Sequence, residues 1–266
     1  QKRGSCSIRM RPRISILLPT FNNADTVRET LESVKWADEI LVVDSFSTDT
    51  TLSICSEYGV RIIQHEYINS AKQKNWALPQ CKNEWVLQID TDEVLEPGLR
   101  EEIEQNLAAT SAEVHGFRLP RKNHMLGRWI RHGGIYPDYQ TRLFRRDVGH
   151  WIEREVHAHV QVSGQVETLQ RHIMHFGMPN VSKQLHNLDR YTRYEADELR
   201  KSGKRFRWTG LTLKPWAIFF HRYLWQKGFL EGWRGFIFCG YLAIYVFLTQ
   251  AKLWELQELG LEHSPK

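Results

Sequence analysis

Two aspartates placed two residues apart, Asp90 and Asp92, are the residues of this chain best suited to hold a divalent cation. The mostly apolar residues 86–89 run directly into them, which predicts a buried strand that opens at its carboxyl end onto a site. Carboxylates with this spacing can converge on one hard cation that has a phosphate on its other side. A strand followed by an acidic turn fits the same pattern, because acids are also favoured in the first turn of a helix.

Two earlier apolar runs also end in polar residues. Residues 39–43 lead into Asp44, and residues 14–18 lead into Pro19-Thr20-Phe21-Asn22-Asn23. Strand and helix patterns alternate over this part of the chain, which predicts a mostly parallel sheet with right-handed crossovers. Because the carboxyl ends of parallel strands lie on one edge of a sheet, a single site is expected to gather the following residues: Thr20, Asp44, Asp90 and Asp92.

Several segments of the chain, in a specific order, resemble the family 2 glycosyltransferases. They are ISILLPTFNN, WADEILVVDSFSTDTT, AKQKNWAL, WVLQIDTDE, YPDYQTRLFRR and VHAHVQVSG. Within that family the chain most resembles the lipopolysaccharide inner-core β-1,4-glucosyltransferases. The resemblance implies an α/β fold of the GT-A type, with a Rossmann-like, mostly parallel sheet flanked by helices in a catalytic domain over residues 12–180. Residues 181–266 would form a C-terminal helical region for membrane association or oligomerisation.

The same resemblance implies a site for a UDP-sugar donor. Pro19, Thr20 and Asn22 would lie beside the base and ribose, and Asp44 would hydrogen-bond the uracil or the ribose. Lys74 and Asn75 fall where the family has a basic or polar contact near the donor. Asp90 and Asp92 would hold Mg²⁺ or Mn²⁺, which neutralises the charge on the departing diphosphate. Alternation along a strand places Arg142 on one face, where it either pairs with the diphosphate or forms a basic sheet edge.

Enzymes of this kind need a general base that deprotonates the acceptor hydroxyl. The resemblance places it directly after the histidine of a V-H-E segment, and this chain has Ala158 there, after His157. Either the chain is an inactive variant with a vacated base position, or another acid takes the role. Glu155 and Asp138 are the candidate acids, and His157 is a weaker candidate. Alternatively, Glu155 is a solvated acid on a strand and Asp138 is a turn residue that follows a proline.

The last quarter of the chain mixes aromatic residues densely with lysine and arginine. Residues 213–230 are predicted to form an amphipathic helix lying in the plane of a membrane. Residues 235–251 carry no charge and are near the lower length limit of about 17 residues for a spanning helix. They are interpreted as a re-entrant, interfacial or oligomer-forming helix. A homo-oligomer formed through the C-terminal helices is therefore one possibility. A helical pair packed on a soluble catalytic domain is the alternative.

Composition limits the remaining function classes. At 266 residues, with a formal net charge of +5 and a pI of about 9.0, the chain fits one catalytic domain with an appendage. Nucleic-acid binding is not expected, because no RNA-binding signature such as an aromatic RNP strand is present and the basic, aromatic stretch leads into an apolar segment. The four cysteines are scattered and no signal peptide precedes the first strand. We therefore expect a peripheral or monotopic protein on the cytoplasmic face of the inner membrane.

Together, the residues and the resemblance predict an inverting hexosyltransferase of lipopolysaccharide biosynthesis. It would move a sugar, with glucose favoured by the resemblance alone, from a UDP-sugar to a lipid-linked or lipopolysaccharide-type glycan. Two alternatives remain at this point. A nucleotidyltransferase would need a glycine-rich loop with lysine or arginine after the first strand, where this chain has Pro19-Thr20-Phe21-Asn22-Asn23. A catalytically silent membrane scaffold would fit the alanine at position 158.

Overall fold

Strands and helices alternate along the N-terminal part of the chain, and helices dominate its C-terminal part. The computed structural model describes residues 11–153 and 159–260. The strands are β1 Ile14–Thr20, β2 Glu39–Asp44, β3 Arg61–Gln64, β4 Trp85–Gln88, β5 Glu93–Leu95, β6 Val114–Met125, β7 Arg128–Trp129, β8 Asp138–Arg145, β9 Gly149–Trp151, β10 Val160–Val162, β11 Gln165–Thr168 and β12 Ile173–Met178. The helices are α1 Val27–Val34, α2 Thr51–Ser56, α3 Ser70–Ala77, α4 Leu99–Ala109, α5 Val181–Lys201, α6 Trp208–Phe220 and α7 Trp233–Trp254.

The chain divides into two compact units. The first unit consists of residues 11–120, 139–152 and 159–173, and the second of residues 121–138, 153 and 174–260. Strands β6, β8 and β12 contribute residues to both units.

A mixed sheet is the centre of the first unit. Its hydrogen-bonded strands follow the order β3-β2-β1-β4-β8-β6, in which β1 is parallel to β2 and β4, and β8 is antiparallel to β4. Residues 14–18 of β1 are all fully buried, as expected for a central strand with both faces covered. Helix α1 buries Val27, Leu31 and Val34, which recur at helical spacing. The predicted α/β fold with a sheet flanked by helices is thereby confirmed.

The second unit is built around α5 and α7. Leu253 and Leu256 pack with Ala196 of α5 in a small apolar cluster. Beside it, the Nζ atom of Lys252 donates to the Asp189 carboxylate at 2.9 Å and to the Thr192 hydroxyl at 2.7 Å. These bonds fix α7 against α5 within this unit.

A single amphipathic helix over residues 213–230 was expected, and this expectation is wrong. Helix α6 ends at Phe220, a π-helical turn covers His221–Trp225, and Lys227 adopts a left-handed backbone with φ of 57°. The chain reverses here and reaches α7. A Cβ atom on Gly235 would lie 1.9 Å from the Gly228 carbonyl oxygen, so only glycine permits this close approach.

Candidate functional site

The carboxyl ends of β1 and β2 lie side by side, with Thr20 in register with Asp44. Asp44 is fully buried, and each of its oxygens accepts hydrogen bonds. Oδ1 accepts from the Thr20 hydroxyl at 3.1 Å, and Oδ2 accepts from the Ser47 N–H at 2.9 Å and from Gln64 at 3.0 Å. Asp44 therefore fixes the loop that follows β2. Pro19, also on this edge, is half-buried and lies in register with Val43.

Asn22 joins the loop after β1 to the loop after β2. Its N–H donates to the Ser47 hydroxyl at 2.9 Å, and its side-chain oxygen accepts from the Thr48 N–H at 2.8 Å. The backbone φ of Asn22 is 49°, a left-handed conformation that asparagine tolerates better than most residues. Next to these bonds, Phe21 and Phe46 are 55% and 54% exposed. The two loops thus present a pair of aromatic rings to solvent at the carboxyl edge of the sheet.

We call residues 90–93 the acidic turn, and Ile89 alone separates it from the end of β4. Asp90 follows the buried Ile89, whose N–H donates to the Leu17 carbonyl of β1 at 3.2 Å. The turn therefore lies on the same sheet edge as Thr20 and Asp44. Thr91 is buried and Asp92 is half-buried.

Two cations hold the Asp90 carboxylate. The Lys74 ammonium lies 3.1 Å from Oδ1, and the Arg142 guanidinium lies 3.0 Å from Oδ2. Gln88 also donates to Oδ1 at 2.8 Å. Burial by itself would raise the pKa of Asp90, but the charges of Lys74 and Arg142 outweigh it and hold that pKa far below its ordinary value. Asp90 is therefore a carboxylate at every physiological pH.

Arg142 is buried and bridges two acids of this turn. Its NH2 nitrogen lies 2.6 Å from Glu93 Oε1 as well as 3.0 Å from Asp90, and NH1 donates to Gln88. Glu93 is fully buried, and its second oxygen accepts from the Asp90 N–H at 3.0 Å. Burial would lower the pKa of Arg142, but Glu93 and Asp90 raise it above its ordinary value. In this geometry Arg142 organises the acidic turn.

Sequence reasoning gave no role to Glu93 or Gln88, although both lie within or beside the acidic segment. The only signal was the third acid of the Asp90–Glu93 sequence, which follows the expected cation ligands. Its partner Arg142 lies 49 residues further along the chain. The pairing of the two strands, β4 with β8, brings these residues together.

Lys74 and Asn75 are neighbours on α3 with different roles in the structure. Lys74 is 8% exposed and reaches Asp90, and its ammonium lies 6.0 Å from the centre of the Trp151 ring. Asn75 instead holds β9, because its side chain donates to the Trp151 carbonyl and accepts from the Trp151 N–H, both at 2.8 Å. Asn75 thus positions Trp151, while Lys74 contributes charge at the acidic turn.

The donor set at the acidic turn suits Mg²⁺ or Mn²⁺. Asp90 and Asp92 offer only oxygen atoms, which these ions prefer. Within residues 11–153 and 159–260, no group of three or more His, Cys, Asp or Glu side chains could hold a metal. A divalent ion at this turn would need most of its ligands from substrate phosphates and water, and it would share the Asp90 oxygens with Lys74, Gln88 and Arg142.

Of the four residues considered at the base position, only Asp138 is described. It belongs to the second unit, where Arg121 NH2 lies 2.7 Å and the Asn123 amide 2.9 Å from its Oδ2. The Asn123 oxygen in turn lies 2.7 Å from His175 Nδ1. Glu155, His157 and Ala158 lie outside the described residues.

Comparison with known proteins gives one family. The model of glycosyl transferase family 2 matches residues 15–162. The chain is 31% identical over 254 residues to LpsC of Rhizobium meliloti (strain 1021), a lipopolysaccharide core biosynthesis glycosyltransferase, with 92% of this chain and 93% of LpsC covered. An uncharacterized glycosyltransferase of Rickettsia bellii (strain RML369-C) is 28% identical over 265 residues, covering 95% of this chain and 89% of that protein.

One solved structure has a similar fold over most of its length. It is the mannosyltransferase PcManGT of Pyrobaculum calidifontis, in complex with GDP-Man and Mn²⁺. The TM-score is 0.56 at 15% identity, and the match covers 94% of this chain and 89% of that one. At this identity the likeness concerns the fold.

Proposed function

Because this chain belongs to glycosyl transferase family 2, we propose that it is an inverting hexosyltransferase that uses a nucleotide-sugar donor. We further propose UDP-glucose as the donor and a lipid-linked or lipopolysaccharide-type glycan as the acceptor. The relative LpsC, named for lipopolysaccharide core biosynthesis, supports this acceptor class. The preference for UDP and for glucose rests on the motif resemblance, since no described residue selects glucose over another hexose.

The observation that carries this proposal is the gathering of polar strand ends on one sheet edge. Thr20 and Asp44 are in register, and the backbone bond from Ile89 to Leu17 brings the acidic turn to the same edge. Ligands of α/β sheets bind outside the carboxyl ends of the strands. The loops joined by Asn22 would receive the nucleoside, with Phe21 and Phe46 beside its base, and the acidic turn would face the diphosphate.

The proposed reaction is a single displacement at the anomeric carbon. The acceptor hydroxyl attacks opposite the leaving nucleoside diphosphate, so an α-linked donor gives a β-linked product. Asp90 and Asp92 would hold Mg²⁺ or Mn²⁺, which supplies positive charge to the leaving diphosphate. Lys74 and Arg142 keep Asp90 ionised, and the buried Glu93 holds Arg142 in place.

The identity of the general base can be tested by substitution at position 158. We propose that Ala158 occupies the position of a missing carboxylate, with Glu155, Asp138 and His157 as alternatives. UDP release should be measured for the natural sequence and for Ala158→Glu. A gain in turnover indicates a disabled enzyme, and equal activity in both proteins places the base elsewhere. If both proteins bind nucleotide but neither turns over, the silent scaffold is favoured.

We also propose that the protein works at a membrane surface. Trp233–Leu259 is long and apolar enough to cross a membrane by length and composition, and only 22% of its most apolar window is buried. Exposed aromatic side chains in the same unit also support this location, and they include Trp216 at 66% and Trp208 at 67%. Homo-oligomers formed through these helices are the competing use of the same surface.

The donor and acceptor are tested in one experiment. The full-length protein, reconstituted in lipid, is incubated with Mn²⁺, lipid-linked glycan acceptors and a panel of nucleotide-sugars that includes UDP-glucose, UDP-N-acetylglucosamine and GDP-mannose. Products are identified by mass spectrometry. The natural sequence and Ala158→Glu are assayed side by side, and glucose transfer from UDP-glucose is the expected result for Ala158→Glu. Transfer only from another donor would change the proposed sugar but leave the proposed transferase activity in place.

A further inference from the structure

A hairpin in the middle of the chain carries a concentrated positive charge. Residues 121–137 contain four lysine or arginine residues, two histidines and no acid. The strands β6 and β7 pair antiparallel here, with Met125 opposite Arg128. Leu126 and Gly127 form the turn between them, with φ of 49° and 78°. We call residues 121–132 the cationic hairpin.

Two cations of the cationic hairpin, Lys122 and Arg131, lie over the ring of Trp129. The Arg131 guanidinium lies 4.2 Å and the Lys122 ammonium 4.9 Å from the Trp129 ring. Arg128 and Arg131 are both exposed. Arg121 differs from them, because it pairs with Asp138. Burial, together with the charges of Lys122 and His175, lowers the pKa of His124, as expected where the local potential is positive.

Five hydrogen bonds join the cationic hairpin and the adjoining Gly133 to residues 222–234. The Glu231 carboxylate, 5% exposed, accepts from the Arg131 N–H at 2.9 Å and from the His132 N–H at 3.1 Å. The Gly133 N–H donates to the Gln226 carbonyl at 2.8 Å. Arg222 donates to the Gly133 carbonyl at 2.8 Å, and Arg234 donates to the Leu126 carbonyl at 3.0 Å. The two segments therefore form one connected surface within the second unit.

The segment on the other side of these contacts is strongly apolar and exposed. We call residues 224–233 the aromatic turn. Its large side chains are exposed as follows: Leu224 56%, Trp225 82%, Phe229 46%, Leu230 52% and Trp233 58%. Arg222 and Arg234 flank it in the sequence, and Lys227 lies within it. Exposed apolar side chains on this scale mark an interaction surface.

We propose that the cationic hairpin and the aromatic turn form one membrane-docking surface whose partner is anionic phospholipid. Aromatic side chains would enter the boundary between headgroups and acyl chains, and Arg128 and Arg131 would bind headgroup phosphates. The inference rests on the proposed membrane location. It adds a second membrane-binding element, the cationic hairpin, which lies far in sequence from the C-terminal helices. A soluble anionic glycan would account for the cations but leave Trp225 and Trp233 without a partner.

The experiment measures co-sedimentation of the full chain with two kinds of vesicle, phosphatidylcholine alone and phosphatidylcholine mixed with phosphatidylglycerol. Each cation at an anionic surface contributes about fivefold to binding, so Arg128→Gln/Arg131→Gln should bind the anionic vesicles about 25-fold more weakly. Binding to the neutral vesicles should stay the same. Trp225→Ser should weaken binding to both kinds. Lys72→Gln/Lys82→Gln, which removes two exposed charges from the first unit, should bind like the natural sequence.

Three outcomes would overturn the inference. The first is equal binding by the hairpin variant and the Lys72→Gln/Lys82→Gln control. The second is unchanged vesicle binding together with weaker glycan transfer in detergent, which would assign the cations to an anionic acceptor. The third is no vesicle binding by the natural sequence, which would also remove the proposed membrane location. Arg128→Gln alone should lose about fivefold and keeps the Arg131 contact with Trp129, so it separates charge from misfolding.

Discussion

Arg142→Met tests whether the buried arginine organises the acidic turn. The substitution keeps a long side chain but removes the cation beside Glu93, whose side chain is fully buried. Loss of one partner of a buried ion pair costs about 3–5 kcal/mol, because the remaining charge stays in the protein interior. At about 2–4 °C for each kcal/mol, the thermal midpoint should fall by about 6–20 °C. The free energy of unfolding is measured by urea denaturation followed by circular dichroism.

Arg145→Met is the matched control, because Arg145 lies on the same strand and pairs with Glu84, a residue whose side chain is 58% exposed. Loss of that pair, together with the contact of the Arg145 guanidinium 5.3 Å from the centre of the Trp85 ring, should cost about 0–2 kcal/mol. The double variant Arg142→Met/Glu93→Gln removes both buried charges and should recover about 1–3 kcal/mol relative to the sum of the single changes. Stability of Arg142→Met equal to that of Arg145→Met, or no recovery in the double variant, would refute this account of the turn.

Three further predictions concern the same sheet edge. Asp92→Ala should abolish Mn²⁺-dependent UDP binding in calorimetry with an unchanged circular dichroism spectrum; unchanged binding would remove the metal assignment. Phe46→Gly should raise the free energy of unfolding by about 0.5–1 kcal/mol, because Phe46 has φ of 61°, while Phe46→Ala should give no such gain. Asp90 has a lowered pKa, so its stabilisation is complete above the ordinary value of 3.8 and is lost as the pH falls towards its folded pKa. The stability difference between the natural sequence and Asp90→Asn should therefore be constant near neutral pH and shrink below 3.8, and a difference that persists unchanged in acid would contradict the pairing.

Local pattern was enough to locate the strands that carry the candidate site. The apolar runs before Thr20, Asp44 and Asp90 each form a buried strand, and the polar residues lie at their carboxyl ends. This follows because a central parallel strand must be apolar on both faces, and chain connectivity then puts its ends on one edge. The same local reasoning failed at residues 213–230. Amphipathic periodicity contains no information about the close packing of Gly228 on Gly235 that reverses the chain there.

The amino-acid sequence by itself determined the family, the α/β fold and the sheet edge on which the proposed donor site lies. The tertiary structure decided what each charged residue does there. Lys74 and Arg142 both converge on Asp90, Asn75 fixes Trp151, and the cationic hairpin is joined to the aromatic turn about 100 residues later. Strand identity depends on neighbouring residues, whereas these pairings depend on which distant segments the sheet and the helices bring within hydrogen-bonding distance, and burial then sets how strongly each pair interacts.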